Sequence, residues 1–165
     1  MSAIALFIQI PVSAIEGLRK AAVPTRTWYG KPQDHYWEYL RQHGRETVEF
    51  HWSGYVFNSL LVYLEEKHGI LLESEKGSEY HELAEFLWKA RGSSFAVLTP
   101  AQRDAYAERL DPALFPDEEL IAFDNEFNGR DDGAEALEAM KAGIDALRKA
   151  LNQLEDGYIT LFIIG

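Results

Sequence analysis

The sequence predicts an α+β fold, helix-rich and built around a small sheet that includes the N- and C-terminal strands. Three observations lead there. Residues 3–10 (AIALFIQI) and 158–164 (YITLFII) are nearly continuous apolar runs at opposite ends of the chain, the pattern of strands covered on both faces. Their shared character places them together in the middle of one sheet. Between them, helical patterns outnumber strands and do not alternate with them regularly, which disfavours a doubly wound sheet. At 165 residues the chain has the length of one ordinary domain.

The elements follow in order. Pro11 ends the first strand, and Ser13 and Glu16 have capping-box spacing for a short helix to about Ala22. Pro24, Gly30 and Pro32 mark residues 23–33 as a loop. Asp34 is placed to cap a helix that stops at Gly44, and Val48, Phe50 and Trp52 alternate as in a short half-exposed strand. Ser53 caps a helix to His68, apolar nearly all round and so expected to be central. Ser78 opens a helix stopped by Gly92, and residues 94–98 (SFAVL) read as a strand. Thr99-Pro100-Ala101-Gln102 is a strong helix start. Pro112 and Pro116 then divide the chain into short helical pieces. A long helix over about 134–154 carries one apolar stripe through Leu137, Met140, Ile144, Leu147, Leu151 and Leu154.

Charge is unevenly spread. The formal net charge is −11, which argues against nucleic acid or an anionic membrane as partner. Residues 1–103 hold 11 basic and 12 acidic side chains, whereas residues 104–138 hold 12 acids against Arg109 and Arg130 alone. There is no cysteine, so disulfides, thiolate metal sites and cysteine nucleophiles are excluded. The apolar opening segment has no preceding Lys or Arg and contains Gln9. It reads as a buried strand rather than a signal peptide, and the protein as cytoplasmic.

Few motifs carry chemistry. Residues 124–135 approach a calcium loop, with acidic or amide side chains at loop positions one, three, five, nine and twelve and glycine at six. Glu126 at the third position and Asp131 at the eighth depart from the pattern, and a solvated helix–turn–helix corner is the better reading. His81-Glu82 lacks the second histidine of a zinc-protease helix. No nucleophile elbow, phosphate loop or dinucleotide fingerprint is present, and neither a cofactor nor a metal is expected. Nine aromatics fall in the thirty residues from Trp28 to Phe57. Residues 19–45 hold six basic side chains against two acids, an interleaving that suits a core with a basic rim better than a nucleotide clamp. Trp28-Tyr29-Gly30 is the part expected to be exposed as an anchor.

ALFIQIPVSAIEGL at one end, and the long helix into an apolar strand ending in Gly165 at the other, resemble the YfbM-like family of small bacterial proteins of unknown function. Trp37-Glu38-Tyr39-Leu40 with His43-Gly44 is similar to that family's Trp-containing helix, without the Leu-Thr-Gly-type signature that follows there. The resemblance covers roughly a third of the chain. It implies an α+β fold and a bacterial cytoplasmic origin, and no catalytic residue.

Two functional expectations follow, beside that of a soluble domain of unknown function whose acids only keep it in solution. One is a non-enzymatic protein-binding module whose contacts are Asp117, Glu118, Glu119, Asp124, Glu126, Asp131 and Asp132. Its partner would be a basic protein, because a concentrated anionic face speeds association with a cation and mimics a nucleic-acid surface. By analogy, small acidic domains of this kind are often immunity-type inhibitors of basic toxins or enzymes. The other is a small-molecule-binding protein or enzyme with an aromatic pocket around Trp28, Tyr36, Trp37 and Trp52, and His43 as acid–base.

Overall fold

A computed structural model describes residues 3–165 and shows the α+β architecture. Strands β1 (Ala5–Pro11), β2 (Arg45–Val48), β3 (Ser94–Leu98) and β4 (Tyr158–Ile164) form an antiparallel sheet in the order β2-β1-β4-β3. The terminal strands pair along their whole length, with Phe7 opposite Phe162 and Gln9 opposite Thr160. Both are central and buried on both faces, which is why neither shows polar alternation.

Alternate side chains feed two cores. Phe7, Ala96, Leu98 and Phe162 point to one face, covered by α3 (Val56–His68) and α7 (Gly133–Asn152), with α6 (Asp117–Asn128) outside them. There Phe7 stacks on Phe162 at 4.6 Å, and Phe57 meets Phe162 edge-on at 4.7 Å. Ile8, Ile10, Val97, Leu161 and Ile163 point to the other face, under α1 (Ile15–Ala22), α2 (Tyr36–His43) and α4 (Glu79–Arg91). A short α5 (Pro100–Tyr106) and two 3₁₀ turns lead into α6.

Two caps are as the sequence predicts: Ser78 accepts the His81 amide, and Thr99 and Gln102 close the reciprocal capping box. Asp34 and Ser53 are not caps; α2 and α3 start from His35 and Tyr55, and each side chain bonds only the amide two residues on. Three further readings need correction. The Ser13 hydroxyl does not cap α1, because a 3₁₀ turn (Val12–Ala14) intervenes and Glu16 pairs with Lys20 instead. The strand after Gly44 is Arg45–Val48, ending where the alternation was expected to begin. Helix α3 is not wrapped all round: Phe57, Leu60, Tyr63 and Leu64 are buried, Val56, Leu61 and Val62 only half-buried, and Tyr55 before it is exposed.

Candidate functional site

The site begins with Asp124. It sits in the last turns of α6 on the side facing α3, and only 5% of its surface is exposed. A buried carboxylate is costly unless it is hydrogen-bonded. Here Oδ1 accepts from the Ser59 hydroxyl of α3 at 2.7 Å and from the Asn128 amide at 3.0 Å, one turn on. Oδ2 accepts no hydrogen bond among the described residues, and Asp124 lines an open cleft.

Tight chain geometry shapes that cleft. Gly54 lies so close to the Ile4–Ala5 backbone that a Cβ would stand 3.1–3.2 Å from it, and its amide donates to the Ala3 carbonyl. This fixes Trp52 and Tyr55 on either side of the turn into α3. On the other wall, Gly129 ends α6 in the left-handed conformation (φ 62°) that glycine adopts without steric cost. Gly133 opens α7 against α6, its amide donating to Asn125 Oδ1 at 2.6 Å; a Cβ there would meet the Ile121 carbonyl oxygen at 2.6 Å. The corner therefore turns in four residues.

The resulting cleft has a volume of about 550 Å³, within the range of ligand sites. Asp124 and Ser59 form its polar floor, and Asn128, Arg130, Asp132 and Glu135 lie toward its rim. Trp52, Tyr55 and Phe127 line it while remaining 48%, 54% and 46% exposed. Three half-exposed aromatics beside a buried carboxylate form a surface able to hold a cation by ring faces and charge together.

The sequence-derived acidic contacts divide. Glu118, Glu126 and Asp131 are exposed and make no ion pair among the described residues. Asp117 pairs with Lys141 at 2.6 Å, and Asp132 with Arg130 at 3.6 Å. Glu119 accepts from the Tyr63 hydroxyl at 2.5 Å and lies 2.8 Å from His68 Nε2; those two bonds hold its carboxyl below the usual range. Asp124 needs correction as a surface contact, since it is buried at the cleft floor. The calcium-like run instead forms the helix–turn–helix corner that the sequence favoured. Asp124–Asn128 remain helical in α6 and Glu135 already belongs to α7, so the ligand residues cannot converge on one ion. Among the described residues no group of three or more His, Asp or Glu is arranged to hold a metal, and no helix is long and apolar enough to cross a membrane.

The aromatic residues are spread over several places. Trp52 belongs to the cleft; Trp37 lines a separate groove with Leu6, Ile8 and Leu40. Tyr36 is buried, its hydroxyl unpartnered and its ring 4.5 Å below the Arg91 guanidinium. His43 is exposed, its ring 4.2 Å from that of Tyr39 and outside the Trp37 groove. Trp28 and Tyr29 are 91% and 90% exposed in a loop pinned by reciprocal Thr25–Gln33 backbone bonds, as the Pro-flanked loop suggested.

Sequence reasoning missed Ser59, Tyr55 and Phe127, and met Asn128 and Glu135 only as calcium-loop positions. The spacing of Asp124 and Asn128 at i and i+4 was a readable signal for one of them; the contact of Ser59 with Asp124, 65 residues apart, was not. Compared with family models, curated proteins and solved structures, the chain matches none.

Proposed function

We propose that this chain is a non-enzymatic protein-binding module that receives a basic partner on the α6–α7 corner. The observation that supports it is a coincidence in space. The segment holding nearly all of the net charge borders the cleft whose walls carry three half-exposed aromatics. Aromatic anchors supply binding energy and a surrounding anionic field supplies encounter rate. Glu118, Glu126 and Asp131 supply that field, being exposed and unpaired among the described residues. An immunity-type role against a basic toxin or enzyme, and a cytoplasmic location in keeping with the lack of cysteine, belong to the same proposal. Membership of the YfbM-like family would agree with the fold and adds no site residue.

The test is affinity capture from the source cell at low and high salt, comparing the native protein with a Glu118→Gln, Glu126→Gln, Asp131→Asn variant. A basic protein retained by the native chain, and associating about tenfold more slowly with the variant, is expected. Equal capture by both proteins at all salt concentrations would refute the assignment, as would failure to retain any basic protein.

A further inference from the structure

Asp124 carries more than the acidity of its segment. It is nine-tenths buried, its Oδ1 is committed to Ser59 and Asn128, and its Oδ2 has no partner among the described residues while the residue lines an open cleft. That oxygen is not among the buried atoms left unsatisfied, so it opens to the cleft, where a ligand can donate to it. The surrounding charge says which kind. Asp124, Asp132 and Glu135 face Arg130, and Arg130 is already engaged by Asp132. Two helix N-termini also reach the cleft, each worth roughly half a positive charge. The α7 terminus has Glu135 in its first turn, whereas α3 has no acid there. Adding Arg130 and both termini to the three carboxylates still leaves roughly one negative charge, so the cleft selects a cation.

We infer that the cleft between the start of α3 and the α6–α7 corner receives the guanidinium of an arginine side chain, with Asp124 as its buried acceptor and Trp52, Tyr55 and Phe127 as its stacking surfaces. Guanidinium fits better than ammonium. It is planar, stacks on ring faces, and is more weakly hydrated, so it loses less on entering a half-dry cleft. Its several N–H groups can donate to Asp124 and still reach water or a rim acceptor. The inference rests on the binding-module reading and names the chemical group by which that module would hold its partner.

The test is calorimetric titration with N-acetyl-arginine amide, its lysine counterpart, and the neutral isostere N-acetyl-citrulline amide. The arginine compound should bind saturably, about tenfold or more tighter than citrulline, and tighter than lysine. Asp124→Asn keeps an acceptor for Ser59 and Asn128 but turns an NH₂ donor toward the cleft, and should weaken arginine binding about tenfold or more. Glu135→Gln and Trp52→Ala, at the exposed rim, should each weaken it without altering the fold, so the test stands even if Asp124→Asn does not fold. Equal binding of citrulline and arginine, preference for lysine, no saturable binding, or unchanged affinity in all three variants would overturn the inference. Arginine binding without any captured basic protein would instead overturn the partner reading and leave the cleft assignment standing.

Discussion

Gly143→Ala sets two known effects against each other at one atom. Gly143 lies inside α7 on its buried face against α3, where a Cβ would stand 2.7 Å from Leu60 Cδ2 and 3.3 Å from Phe57 Cε1. Replacing an interior helical glycine by alanine gains about 1 kcal/mol of helix propensity. Against that, carbon atoms pack best at about 3.5–4.0 Å, so the Leu60 methyl must withdraw by roughly 1 Å. Leu60 and Phe57 are both fully buried, with Phe57 set edge-on against Phe162 and Phe7, so there is little room to withdraw into. Overpacking of this kind costs about 1–3 kcal/mol. The net is a loss of about 1 kcal/mol, or a fall in Tm of about 2–4 °C for a chain of this size. Urea and calorimetric unfolding measure it. The companion variant Leu60→Ala alone should cost about 2–5 kcal/mol. Combined with Gly143→Ala it should cost less than the sum by about 1 kcal/mol, because the new methyl then fills part of the cavity. A rise in Tm for Gly143→Ala, or strict additivity in the pair, would show that α3 and α7 do not meet at this glycine.

Two further predictions concern buried polar groups. Burial, and for Tyr63 also the bond to Glu119, raises the ionisation of Tyr36 and Tyr63 well above the ordinary phenol value. Their contribution to stability is therefore complete below about pH 10 and is lost as pH rises beyond it, when the unfolded chain ionises and the folded chain does not. Ultraviolet titration should show two of the eight tyrosines ionising only with unfolding; all eight titrating reversibly together would contradict this. Thr160 is fully buried, opposite Gln9, and its hydroxyl has no partner among the described residues. Thr160→Val should raise stability by about 1 kcal/mol by removing an unsatisfied group at constant shape; a loss of that size in urea unfolding would reveal an unrecognised bond.

Sequence periodicity was enough for the fold class, the central pairing of the terminal strands, the stripe of α7 and most helix ends. Each depends on residues close in the chain or on simple burial, so each leaves a local trace. The sequence also placed the acidic segment and the exposed Trp28-Tyr29 loop. It misplaced Asp124, because whether an acid faces water or a floor is set by what packs above it. Ser59 and Asp124 meet only because α3 and α6 pack on the same flank of the sheet. Trp52, Tyr55 and Phe127 share one cleft only because Gly54 and Gly133 allow two backbones to come close. Composition thus determined that this chain is acidic and where along it the acid lies. Tertiary packing alone decided that one of those acids is buried, keeps an oxygen without a protein partner, and lines one cleft with three aromatics, since that depends on contacts among segments far apart in the chain.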